Sequence, residues 1–138
     1  MNIFSILVAA LAAFIIGFLF HGPLFGKTWM RLANVTPPTE HVGFSGMWKQ
    51  MVLNYISNVV MATVLAGVLW LAFASPLMGE PTWFRGVICG AWLWLGFIVT
   101  TSSLDVIWMK SSVKLWLFEM VSLLVSVSVM GAILAVWR

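Results

Sequence analysis

The chemistry open to this chain rests on a few polar side chains set in apolar surroundings. His21 closes the first apolar run, Asn54 and Asn58 stand four apart in the second, Thr100 and Thr101 lie near the end of the third, and Glu119 and Ser122 fall in the fourth. Polar and ionisable groups at membrane depth are costly and are functional candidates by default. A carboxylate, an imidazole and amides at similar depth could hold a proton or a cation. The spacing puts Glu119, Ser122 and Ser126 on one helix face, and Asn54, Asn58, Ala62 and Ala66 on another.

Each of these residues also has a plainer reading. Glu119 lies five residues past Lys114, which is about 8 Å deeper at the helical rise and not a favourable helical pairing. It can serve as an interfacial or internally hydrogen-bonded carboxylate. Asn54 and Asn58 can be inter-helix glue, worth about 0.6 kcal/mol per bond. His21 can be an amphipathic residue at the interface, and the second imidazole, His41, is too distant to complete a metal site. No pair of carboxylates has a reason to face, and no Ser-His-acid arrangement is present. The expectation is therefore no enzyme, no catalytic residue, no cofactor and no metal.

These residues need a scaffold, and composition says which solvent it uses. The chain has 138 residues, of which 62% are hydrophobic and 8% charged. Soluble domains run near half apolar and a quarter charged, and a domain this small could not hide such an apolar excess. The partner implied is the lipid bilayer, and a homo-oligomer is compatible with it. The net charge of +3 comes from scattered residues (Lys27, Arg31, Lys49, Arg85, Lys110, Lys114 and Arg138) with no basic stripe, so no nucleic-acid partner is expected. Cys89 sits alone in an apolar stretch and reads as a small packing residue.

A spanning helix needs about 20 mostly apolar residues. Four segments qualify: residues 2–21, 51–74, 83–103 and 114–137. The expected fold is all-α, an integral membrane four-helix bundle forming one transmembrane domain over 1–138. The long polar connection is the loop 22–50, where Pro37-Pro38 stops any helix and Gly43 and Gly46 loosen the chain. Within it, Asn34 could close a short helical extension, because Asn tolerates the left-handed conformation. Residues 75–81 and 105–113 make the other two connections. The basic loops carry Lys27, Arg31, Lys49, Lys110 and Lys114, against Arg85 and Arg138 at the opposite face. The positive-inside rule then places loop 22–50 in the cytoplasm and both termini outside. Gly17-Phe18 and Trp29-Met30-Arg31 recur at one shared interval as Gly96-Phe97 and Trp108-Met109-Lys110, the trace a tandem duplication of a helical hairpin would leave.

One stretch imitates a different chemistry. GPLFGKT, residues 22–28, looks like a phosphate-binding loop, G-x-x-x-x-G-K-[ST]. Gly22 and Gly26 are separated by three residues rather than four, and the segment follows a spanning helix rather than a strand. Pro23, Leu24 and Phe25 are wrong for an anion cradle, so no nucleotide is expected. The stretch reads instead as a helix stop and interface anchor. Gly22 and Pro23 break the helix, Gly26 follows, Lys27 stays among the headgroups and Trp29 anchors at the interface.

FIIGFLFHGPLFGKTWMRL resembles the opening of a family of small bacterial membrane proteins, domain of unknown function 1761. Gly17, Pro23, Phe25, Gly26, Lys27 and Trp29 match its pattern, and GFIVTT (96–101), Lys114-Leu115 and MGAILAVW (130–137) are similar to it further on. Phe20, His21 and Gly22 stand where Trp, Tyr and Ser are usual. Glu119 and Ser122 stand where a neutral polar residue and an aromatic are usual. The resemblance implies a multi-pass protein of the bacterial inner membrane and no known activity. Two functional readings follow. The first is a non-enzymatic packing protein, a scaffold or partner subunit. The alternative is a small transporter or channel with a cytoplasm-facing polar site around Glu119.

Overall fold

A computed structural model describes residues 1–36 and 44–138. The expected Pro37-Pro38 stop, Gly43 and His41 lie outside the described residues. The elements in chain order are α1 (Ile3–His21), α2 (Gly26–Ala33), α3 (Phe44–Ala74), α4 (Trp83–Leu93), a π-helical stretch (Trp94–Val99), α5 (Thr100–Trp108) and α6 (Val113–Val136). No strand occurs among the described residues. Among the described residues, four helices are long and apolar enough to cross a membrane: Ile3–His21, Ser45–Ala74, Trp83–Trp108 and Val113–Val136.

The ends follow local chemistry. Asn2 caps α1, its side chain accepting from the Phe4 amide at 3.0 Å. Thr82 and Ser112 cap α4 and α6 in the same way. At the far end of α1, a methyl on Gly22 would lie 2.7 Å from the Phe18 carbonyl oxygen, and Pro23 has no amide to continue the ladder. The chain turns there and restarts at Gly26, whose amide donates to the Gly22 carbonyl at 2.8 Å. Asn34 ends α2 in the left-handed conformation, at φ 59°, as expected.

Two boundaries differ from the sequence reading. The second span begins at Phe44 rather than at 51. Residues 44–50 mix polar and apolar side chains but are helix-competent, and one glycine costs a helix only about 1 kcal/mol. At 31 residues α3 is about 46 Å long, longer than the ~30 Å hydrocarbon core of a bilayer. The third span runs on to Trp108 rather than ending at 103. No Gly or Pro interrupts residues 100–108, and the connection to α6 shrinks to 109–112, turned by Lys110 at φ 54°. The two copies of the suggested repeat also diverge. Residues 17–31 hold a helix break in their middle, whereas 96–108 run as unbroken helix, π-helical at first, and the chain turns only at Lys110.

α6 is the central element. It packs along α4 and α1, and less extensively on α3, while α3 lies mainly on α1 and barely meets α4. Small residues bring these axes together. A methyl on Gly86 would overlap the Gly131 carbonyl oxygen, one on Gly131 would overlap that of Gly86, and Gly90 sits against Val127. This is the small-residue approach that tightens helix pairs in lipid, and it explains the Gly86/Gly90 spacing. Trp94 Nε1 donates to the Met120 carbonyl at 2.9 Å and Trp116 Nε1 to Ser102 Oγ at 3.0 Å, further tying the third span to α6.

The buried core joins Ile6, Ala9, Ala10 and Ala13 of α1, Ala62, Leu65, Ala66 and Leu69 of α3, and Val127, Met130 and Leu134 of α6. All lie toward the end of the bundle that carries residue 3, residue 74 and residue 136. The other half, bounded by His21, the start of α3 and the start of α6, is not filled in this way. Lys27, Arg31, Lys49, Lys110 and Lys114 all belong to that open half.

Candidate functional site

The open half holds a cavity of about 540 Å³ between α1, α3 and α6. Its polar wall is made by His21 at the end of α1, Gln50, Asn54 and Asn58 on α3, and Glu119, Ser122 and Ser126 on α6; Ala13, Phe14, Gly17, Phe18, Met47, Met51 and Leu123 form the apolar remainder, and Trp29 of α2 stands at the rim. Gln50 and Asn58 are two helical turns apart, so the polar wall is about 12 Å deep. The face that supplies Asn54 and Asn58 to the cavity continues as Ala62 and Ala66 into the core.

Glu119 is the centre of this wall. Trp29 Nε1 donates to its Oε1 at 3.0 Å, and His21 Nε2 lies 2.9 Å from Oε1 and 3.0 Å from Oε2. His21 Nδ1 is 2.9 Å from the Gly17 carbonyl oxygen. A carbonyl only accepts, so Nδ1 carries a hydrogen. The contact between Nε2 and the carboxyl group then needs one further proton. That proton sits either on Nε2, giving imidazolium and carboxylate, or on the carboxyl group, giving two neutral partners. In both cases the pair holds one mobile proton and a net charge of zero. His21 and Glu119 are each 33% exposed, so the proton has a route to water.

The surroundings position the pair. The His21 ring meets Trp29 edge-on at 5.4 Å between centroids and Phe118 at 5.8 Å. Phe20, Phe25 and Phe118 stack behind it at 5.2 to 6.3 Å. The Pro23–Phe25 stretch thus folds an aromatic back onto the bundle and aims α2 at Glu119. Ser122 and Ser126 are 3% and 5% exposed, and that small exposure is toward the cavity. Asn58 Nδ2 donates to the Asn54 carbonyl at 3.0 Å and approaches Asn54 Oδ1 at 3.4 Å, which leaves Asn58 Oδ1 and Asn54 Nδ2 for other partners.

The structure therefore brings His21, Asn54, Asn58, Glu119 and Ser122 to one wall, and leaves Thr100 and Thr101 out of it. Those two threonines are exposed and bond back to their own helix, Thr100 to the Gly96 carbonyl at 2.6 Å and Thr101 to that of Phe97. They occupy carbonyls that the wider π-helical turn sets apart, so their polarity is locally consumed. Trp29 makes a contact beyond the anchor role expected of it. Its ring stands on the short helix α2, and its N–H turns inward to donate to Glu119. Sequence reasoning missed this bond and missed Gln50 as part of the wall. An interfacial Trp carries no mark of the direction in which its N–H points, and Gln50 lay in a segment read as loop.

A family model described as a protein of unknown function, DUF1761, matches residues 4–135. The chain belongs to this family. No curated protein and no solved structure matches it. In this DUF1761 chain the match covers every residue of the cavity wall, and it bears out the resemblance read from the Pro-x-Phe-Gly-Lys-x-Trp block, here Pro23 to Trp29. That block builds the turn and the short helix that carry Trp29 to Glu119.

Proposed function

We propose that this DUF1761 chain is a multi-pass membrane protein of the transporter or channel class, and that the cavity beside Glu119 is its working site. The single observation that carries the reading is the composition of one wall. It combines a proton-holding His21–Glu119 pair, two serines and two asparagines in a cavity of about 540 Å³. Small-molecule sites span roughly 300–1,000 Å³ and combine mostly apolar linings with a few convergent polar groups. A bundle needing only to pack would have no reason to keep these groups there, because each is costly in lipid. The reading is non-enzymatic and uses no cofactor or nucleotide. Basic residues cluster at the cavity end, so that end is assigned to the cytoplasm and both termini to the outside. With the family resemblance, this makes the protein one of the bacterial inner membrane, acting as a single transmembrane domain.

The test is cysteine accessibility. With Cys89→Ala as background, Asn58→Cys is exposed to a charged, membrane-impermeant thiol reagent in inside-out vesicles and in intact cells. Labelling only in inside-out vesicles supports a cavity open to the cytoplasm. No labelling from either side would remove the water-filled site, and labelling only in intact cells would reverse the orientation.

A second reading draws on a different observation. Between α3 and the third span runs an apolar groove of about 440 Å³, lined by Met61, Leu65, Trp94, Phe97, Ile98 and Val127 among others. It lies at the edge where α3 and α4 barely touch and supports a scaffold or partner-subunit role, with a helix of a second copy or of another chain in the groove. Crosslinking in membranes from Val64→Cys distinguishes this role, because a monomeric protein gives no crosslinked species.

A further inference from the structure

Resting on the solute-site reading above, we propose that the cavity takes a monovalent organic cation in exchange for the proton held between His21 and Glu119. The argument begins with charge. Among the described residues, His21 and Glu119 are the only ionisable side chains lining the cavity. The charged groups nearest it on each packed element, Lys27 and Arg31 on α2, Lys49 on α3 and Lys114 on α6, are all exposed, and no ion pair joins any of them to Glu119 among the described residues. Among the described residues the lining therefore holds no fixed positive charge to receive an anion. With its proton in place the pair is neutral, and a site only partly open to water and walled by apolar side chains disfavours a net charge. A cation can settle against the carboxylate only as the proton leaves.

The exchange balances. The proton departs from Nε2, or from the carboxyl group, to water. His21 remains a neutral imidazole with its Nδ1 hydrogen on the Gly17 carbonyl. Trp29 Nε1 keeps donating to Oε1, which leaves Oε2 to face the cation. One positive charge enters for one that leaves, so the site is neutral before and after.

The rest of the lining selects the kind of cation. The cavity far exceeds a bare metal ion, and no group of three or more His, Cys, Asp or Glu residues suited to a metal exists among the described residues. Phe14, Phe18 and Trp29 present aromatic surface to the cavity, with Trp29 bonded to the carboxylate itself. Such faces attract cations held within about 6 Å and also match an alkyl or aryl body. The hydroxyls of Ser122 and Ser126 lie on the same wall and suit a substituent able to accept or donate a hydrogen bond.

The test uses tetraphenylphosphonium, which has no proton of its own, so any proton released on binding comes from the protein. Purified protein in weakly buffered detergent is titrated with the cation while a pH dye counts protons and a cation-selective electrode measures binding. The expected result is one proton released per cation bound, with both signals lost in Glu119→Gln. Binding without release, or no binding, overturns the exchange. Because Glu119→Gln could fail to fold, a Ser122→Cys protein on the Cys89→Ala background is also tested before and after reaction with a bulky maleimide. Filling the cavity must abolish binding and release together, and retention of either after modification overturns the assignment to this cavity. Asn58→Cys labelling is independent of these readings. A labelled cavity with no cation-linked proton leaves the solute site standing and removes only the cation. An unlabelled one removes both.

Discussion

Replacing Trp29 by Phe removes the indole N–H with its five-membered ring and keeps a six-membered aromatic ring, so it deletes the bond that docks α2 while an aromatic stays in place. The indole N–H lies 3.0 Å from Glu119 Oε1, and a hydrogen bond to a charged acceptor contributes about 1.5–3 kcal/mol. Glu119 is one-third exposed, so water can partly replace the donor and the loss is discounted to about 1 kcal/mol. The ring-edge contact with His21 at 5.4 Å survives in large part. A change of 1.4 kcal/mol is tenfold in an equilibrium, so local opening of α2 should rise about fivefold. Hydrogen exchange followed by mass spectrometry reads this directly. Amides of residues 27–33 should exchange about five times faster in the variant, while those of 120–134 in α6 stay as they were. Unchanged α2 exchange would mean that the indole N–H does not hold the helix. Loss of protection throughout α6 would mean that Trp29 supports the whole bundle rather than α2 alone.

Other expectations follow from the same geometry. Gly86→Ala and Gly131→Ala each drive a methyl into the facing carbonyl and should destabilise by about 1–3 kcal/mol, seen as a lower Tm in detergent, whereas Gly67→Ala, with open space around it, should not. Asn34→Ala keeps a left-handed position without a residue that tolerates it, at a cost of about 1 kcal/mol, read as faster exchange at the end of α2 alone. Thr100→Val with Thr101→Val removes hydroxyls that bond only within their own helix. It should leave Asn58→Cys labelling unchanged, and a slowed reaction would return those threonines to the site.

Much of the architecture was readable because lipid imposes a coarse rule: long apolar runs must be helices. The Gly22-Pro23 break and the Asn34 cap were legible for stereochemical reasons, since few residue pairs do what those do. The start of α3 was not legible, because Trp48, Lys49 and Gln50 are as suited to a projecting helix as to a loop. The π-helical stretch Trp94–Val99 leaves no periodic signature in an all-apolar run. The site was half legible. Depth placed His21, Asn54 and Glu119 in one layer, but their facing depends on helix rotation, which α1 and α6 settle through packed small residues elsewhere. Thr100 shares that layer and points away. His21 and Glu119, 98 residues apart, meet because of that rotation and because Gly22 lets α1 end there.

The central claim is that water reaches a polar cavity at the level of Ser122. A spin label at Ser122→Cys, on the Cys89→Ala background in bilayers made up in D2O, reports deuterium contact through the depth of its echo modulation. A label at Val121→Cys, one residue away on a face that is 51% exposed outside the bundle, is the lipid reference. The account expects strong modulation at 122 and little at 121. Equal and weak modulation at both positions would contradict it.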